Sequence, residues 1–177
     1  MVIIMSKYKS EDIRNVALAG HRASGKTSLA DALLHQAKAV DRRGSVDDRT
    51  SVSDFDEEEQ TRRFSIDTSV LHLTHKGKQI HLLDTPGSPD FVGAALGALS
   101  AVENVVIVVS AVNGVEVNTR RMFAEAGKRG LGRMIVINKI DGRARQRRLR
   151  QVQHADHALE VRADPLRRVE QHATLAE

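Results

Sequence analysis

The sequence predicts a doubly wound α/β fold, with a mostly parallel sheet and helices on both faces. Two observations carry that expectation. Strand-like apolar runs alternate with segments of helical periodicity from residue 13 to residue 137, the pattern of βαβ units. Three of those runs end in polar motifs, and sheets of this class hold ligands at the C-terminal ends of their strands.

The elements follow in order. Ser6 to Asp12 is a polar lead-in, and Ile13 to Ala19 is a short, mostly apolar run that reads as a buried strand. After a glycine loop, Thr27 to Ala37 carries Leu29, Ala30, Ala32, Leu33 and Leu34 as a helical apolar face. Asp41 to Arg63 is polar and reads as a long loop, of the kind that is usually functional or mobile. Its acidic run Asp56 to Glu59 reads as a solvated face rather than a metal cluster. Ser65 to Thr74 partly alternates and predicts a strand, Lys76-Gly-Lys78 a hairpin turn, and Gln79 to Leu83 the returning strand. Ser88-Pro89 opens a helix to about Val102, with Pro89 in its first turn. Val105 to Val109 is a continuous apolar run, typical of a central parallel strand and not a cofactor box. Glu116 to Arg129 is a helix stopped by Gly130, and Arg133 to Ile137 is another buried strand.

The motifs carry the chemistry. Gly20-His21-Arg22-Ala23-Ser24-Gly25-Lys26-Thr27, followed by Ser28, fits G-x-x-x-x-G-K-[ST], the phosphate-binding loop of P-loop NTPases. A polyphosphate needs several backbone N–H groups converging on it, and a tight turn at a helix N-terminus supplies them. Gly20 and Gly25 permit backbone angles and approaches that a Cβ would block. Lys26 can reach the β- and γ-phosphates, and the Thr27 hydroxyl can hold Mg²⁺. Asp84-Thr-Pro-Gly87 follows a strand, where Asp84 can hold a water of the Mg²⁺ shell and Gly87 can offer its N–H to the γ-phosphate. The same four residues are also ordinary turn chemistry, and their order after the phosphate loop favours the site. Asn138-Lys139-Ile-Asp141 fits N-K-x-D. The Asp141 carboxylate can accept from guanine N1–H and its exocyclic amino group, Lys139 can cover the base, and Asn138 braces the loop. Adenine lacks that pair of donors.

Composition bounds the rest. The 177 residues are 41% hydrophobic and 28% charged, enough for one domain with a core. There is no cysteine, which excludes disulfides and thiolate metal sites and is compatible with a cytoplasmic location. The eight histidines show no ligand spacing, and His21 is expected to pack within its loop. No stretch is long and apolar enough to cross a bilayer. The basic pI of about 9.7 does not argue for DNA binding, because residues 1–142 carry a net charge of only +1.

In order and spacing, the three motifs resemble the GTP-binding domain of translational GTPases, above all elongation factor G and its elongation factor G-like paralogues. The resemblance covers about residues 8–142 and includes Asp12 to His21 before the loop, Val52 to Asp56 and Arg62 to Ile66 as a first switch, Asp84 to Val92 as a second, and Ala111 to Val117 with Thr119. It implies GTP and GDP as ligands, Mg²⁺ held by Thr27, Ser65 and Asp84, and catalytic roles for Lys26, Ser65 and Gly87. It also implies a cytoplasmic protein that works with the ribosome. Departures stand beside it. Ser88 occupies the place of the water-orienting histidine, Arg63 that of a glycine, Phe64 that of an aliphatic residue, Ser65 that of a threonine, and Ala23 that of a loop aspartate. A serine cannot become a cation near neutral pH, so slow hydrolysis is expected. The alternatives are a GTP-binding docking module that does not hydrolyse, and an inactive truncated fragment.

After Gly142 the composition changes. Residues 143–177 contain no Gly, Ser, Lys, Ile, Phe, Met or Asn, and all but Thr174 are types encoded by codons that can begin with C or G. The expectation is a GTP-binding domain over residues 1–142, C-terminally incomplete, and an atypical Arg-rich tail over 143–177. That tail is either the product of a reading-frame shift or a basic arm for RNA phosphates. The strand ending at Ile137 would then lie at an exposed edge of the sheet.

Overall fold

The structure is a computed structural model that describes residues 8–54, 56–62 and 64–140. Asp141, Arg63 and the segment 143–177 lie outside the described residues. Among the described residues five strands form one sheet: β1 (Ile13–Gly20), β2 (Ser69–His75), β3 (Lys78–Asp84), β4 (Asn104–Ser110) and β5 (Gly132–Asn138). Their spatial order is β2-β3-β1-β4-β5. Only the β2–β3 pair is antiparallel. The turn joining β2 and β3 places Lys76 at φ 46° and Gly77 at φ 75°, the two positive angles of a hairpin that matches strand twist. The expected doubly wound, mostly parallel architecture is therefore the observed one.

Alternation along β1 shows how the two faces are built. Ala17 and Ala19 point into one cluster with Leu99, Val105, Ile107 and Met122, beneath α3 (Val92–Leu99) and α4 (Val117–Lys128). Leu18 points the other way, into a cluster with Leu34, Leu71 and Leu82 beneath α1 (Lys26–Gln36). Each fully buried aliphatic side chain contributes about 1.5–3 kcal/mol, so these two layers hold the rim on which the motifs sit.

Three expected boundaries shift. The polar segment is not loop throughout, because α2 (Glu57–Arg62) forms within it. Its acidic residues are not all solvated: Glu59 is buried, and its Oε1 accepts from the backbone N–H groups of Ile66 and Asp67 at 2.8 and 3.2 Å. That pair of bonds diverts residues 64–68 from the sheet, so β2 begins at Ser69 rather than Ser65. The helix after Ser88 opens as a 3₁₀ turn over Pro89–Phe91, and α3 stops at Leu99, short of Val102. Among the described residues β5 is an end strand, and its Met134 is 61% exposed. No described helix is long and apolar enough to cross a membrane.

Candidate functional site

The loop from Gly20 to Thr27 is shaped by two glycines. Gly20 has φ 146°, and a Cβ there would lie 2.5 Å from the Val108 carbonyl oxygen on β4. Gly25 has φ 96° and precedes α1, and a Cβ there would collide with Asn138 Nδ2. The first turn of α1 has no side-chain cap, so its amides are left for an anion. Ala23 takes φ 57°, a left-handed angle uncommon outside glycine. Lys26 Nζ donates to the His21 carbonyl at 3.0 Å and is held across the mouth of the loop. His21 does not pack only within its loop, since its Nε2 lies 3.4 Å from Glu116 Oε1 at the start of α4.

Asp84 lies at the end of β3, fully buried. The next residue pins it, as Thr85 donates its hydroxyl to the Leu18 carbonyl on β1 at 2.7 Å. Asp84 Oδ2 accepts from Thr27 Oγ1 at 2.7 Å and from Ser53 Oγ at 2.8 Å. Ser65 Oγ lies 3.3 Å from Thr27 Oγ1 and donates to Asp54 Oδ1 at 2.7 Å. Ser53 and Asp54 were not singled out by sequence reasoning. The only signal for them was their place in the stretch Val52 to Asp56, which has no periodicity to say what it faces.

This cluster is electrostatically tense. Burial pushes the Asp84 carboxyl up to about 6, although Lys26 and the Thr27 and Ser53 hydroxyls pull it down. Burial likewise raises Asp54, against the pull of the Ser65 hydroxyl. Burial lowers the Lys26 ammonium, against Asp84 and Asp54. Asp84 Oδ1 and Asp54 Oδ2 are buried without a hydrogen-bond partner. Two hydroxyls and two carboxylates with spare oxygens form a hard donor set, and Mg²⁺ binds through one or two carboxylates plus ligand phosphates and waters. The residues present therefore fit that cation, although no described group of three or more His, Cys, Asp or Glu forms an all-protein metal cluster.

The shift has a consequence for stability. Because the folded Asp84 titrates near 6 and an ordinary aspartate near 3.8, the folded chain binds more proton between those values. The stability it contributes is fully present below about pH 4 and is lost as pH rises through about 6. Denaturant titrations across pH 4–7 should show the wild type losing on the order of 3 kcal/mol relative to Asp84→Asn. Parallel profiles for the two proteins would contradict the assignment.

Gly87 abuts the loop. A Cβ at this position would collide with Lys26 Nζ and lie 2.7 Å from the Arg22 backbone nitrogen. Its carbonyl accepts from Asn118 Nδ2 at 2.8 Å, a tie from α4 that sequence reasoning missed. Ser88 is buried and its hydroxyl donates to Asp90 Oδ2 at 3.2 Å. At the third motif, Asn138 Nδ2 donates to the Ser24 carbonyl at 3.0 Å, which locks the end of β5 to the loop. Lys139 follows at φ 59°.

These parts enclose a cavity of about 270 Å³. Of the sequence-predicted residues, Arg22, Ala23, Gly25, Lys26, Thr27, Ser28, Ser65, Gly87 and Lys139 line it. Gly20, His21, Ser24, Asp84 and Asn138 stand behind that wall as its supports, and Ser88 is turned aside. Asp54 and Phe64 also contribute to the lining.

The family model for the elongation factor Tu GTP binding domain matches residues 11–173. An elongation factor G-like protein of Mycobacterium tuberculosis is 40% identical over 129 residues, covering 73% of this chain and 18% of that protein. Peptide chain release factor 3 of Rippkaea orientalis is 38% identical over 140 residues, covering 77% of this chain and 26% of that protein. A crystal structure of a Thermus thermophilus protein superposes with a TM-score of 0.76 at 41% identity, covering 81% of this chain and 22% of that one. The chain thus spans about a fifth to a quarter of the length of the proteins it matches.

Proposed function

Because the chain belongs to the family of the elongation factor Tu GTP-binding domain, we propose that it binds GTP and GDP with Mg²⁺ and hydrolyses GTP slowly. The observation that carries this reading is the cavity in which Lys26, Thr27, Ser65 and Gly87 converge above the buried Asp84. The amides at the start of α1 and the Lys26 ammonium bind the phosphates. Thr27, Ser65 and Asp84 would hold Mg²⁺, which neutralises charge on the phosphate oxygens when bound. Asn138 fixes the base-contacting turn against the loop, Lys139 covers the base, and Asp141 selects guanine. Hydrolysis is slow because the Ser88 hydroxyl is engaged by Asp90 and offers no cationic form to orient water. Relatives named for elongation and for peptide chain release support the ribosome as the partner of the longer assembly in which such a domain works. The engaged Ser88 also favours a second reading, a module that binds GTP and docks without turning it over.

Competition of a fluorescent guanine nucleotide against GDP, GTP and ATP, with and without Mg²⁺, tests the proposal. GTP and GDP should displace the probe and ATP should not, by a margin of about 10²-fold or more. Asp141→Asn should collapse that margin. Equal displacement by ATP would overturn the reading, and single-turnover phosphate release separates slow hydrolysis from none.

A further inference from the structure

Arg22 stands in the middle of the loop, and its guanidinium carbon lies 4.1 Å above the centroid of the Phe64 ring. Phe64 packs in turn on Phe91, with ring centroids 6.2 Å apart. Arg22 and Phe64 both line the cavity that holds Lys26 and Gly87. The Arg22 backbone nitrogen is an atom that a Cβ at Gly87 would strike, so this residue sits where the loop and the end of β3 meet. Among the described residues no carboxylate pairs with the guanidinium. Lys26, the other cation of the loop, already faces Asp84 and Asp54. Arg22 is therefore an un-neutralised, planar cation resting on an aromatic face at the edge of a phosphate cavity. A stacked arginine with its N–H edge free is suited to bidentate contact with phosphoryl oxygens. The residue after Gly87 supplies no such charge, since Ser88 is neutral and bonded to Asp90.

We propose that Arg22 is a catalytic residue supplied in cis, moving from Phe64 to the γ-phosphoryl oxygens of GTP as charge redistributes over them in the transition state. The inference rests on the reading of the cavity as a GTP site. In the step it assists, the oxygen of a water forms a bond to the γ-phosphorus and the bond from that phosphorus to the β–γ bridging oxygen breaks. The bonding pair stays on the bridging oxygen of GDP. The water's oxygen and one of its protons leave in hydrogen phosphate, and its other proton passes to solvent. Arg22 gives up no proton and donates hydrogen bonds throughout. Phe64 serves as its resting place, which keeps the side chain ordered beside the site before GTP enters.

The test uses the full chain. In single-turnover hydrolysis of radiolabelled GTP, Arg22→Ala should be slower by about 10- to 100-fold, and Arg22→Lys should recover only part of the loss. GDP affinity should change by less than about threefold, because the contact belongs to the transition state. GDP with aluminium fluoride should form a stable complex with the wild type and not with Arg22→Ala. Phe64→Leu removes the resting face but keeps the charge, and should cost much less than Arg22→Ala. The proposal is overturned if Arg22→Ala hydrolyses at the wild-type rate, if Phe64→Leu matches its loss, or if the wild type holds GTP without hydrolysing it. Those three outcomes leave the nucleotide reading intact. A wild type that binds no guanine nucleotide overturns both.

Discussion

Lys26→Ala is expected to abolish tight guanine-nucleotide binding. The side chain is buried, and its Nζ is held between the His21 carbonyl, to which it donates, and Gly87 at the lining of the cavity. Truncating one partner of a buried, hydrogen-bonded charge pair costs about 2–5 kcal/mol, so Kd should rise about 10²-fold or more in a fluorescence titration. The same substitution alters the empty protein. Asp84 and Asp54 lose the cation that favours their ionised forms, which places two uncompensated carboxylates side by side. With Asp84 titrating near 6, that cost is felt at pH 7.5 and largely relieved at pH 5, where its carboxyl is neutral. Denaturant titrations at the two pH values should therefore show a larger destabilisation at pH 7.5. Retained nucleotide binding would remove Lys26 from the site, and an equal loss at both pH values would uncouple it from Asp84.

Gly20→Ala is expected to be the most damaging small substitution in the chain. Its backbone at φ 146° excludes side chains on conformational grounds alone. The new methyl would meet the Val108 carbonyl oxygen at 2.5 Å, and that oxygen cannot retreat because β4 lies between β1 and β5 in the sheet. Strain and overpacking together predict a loss of about 3 kcal/mol or more, read from the denaturation midpoint. Gly97→Ala is the control. Gly97 lies in α3 with nothing within 4 Å of a built Cβ, and alanine there should stabilise by about 0.5–1 kcal/mol. A wild-type midpoint for Gly20→Ala would mean that β1 does not press on β4 as described.

Much of this was legible along the chain, for a definite reason. A run such as Val105 to Val109 is apolar on both faces only if it is buried on both, so it marks a central strand without further information. Lys76-Gly77 marks a hairpin because the turn demands positive φ. The phosphate loop and the turn at Asn138 were legible because their glycines and polar side chains answer to backbone geometry. The segment 41–63 resisted the same treatment. It has neither period, and the contacts that order it reach far along the chain: Ser53 to Asp84, Asp54 to Ser65 and Asp31 Oδ1 to the Val52 amide. Glu59, one acid in an acidic run, is buried because two backbone amides wait for it. The stacking of Arg22 on Phe64 was hidden for the same reason.

By itself the sequence determined most of the strands and the turns between them, because these depend on neighbours within a few positions. The tertiary structure alone decided which charges lose their water. Desolvation of Asp84, Asp54 and Lys26 is set by side chains brought from distant segments, and that burial moves their proton affinities and leaves oxygens free for a cation.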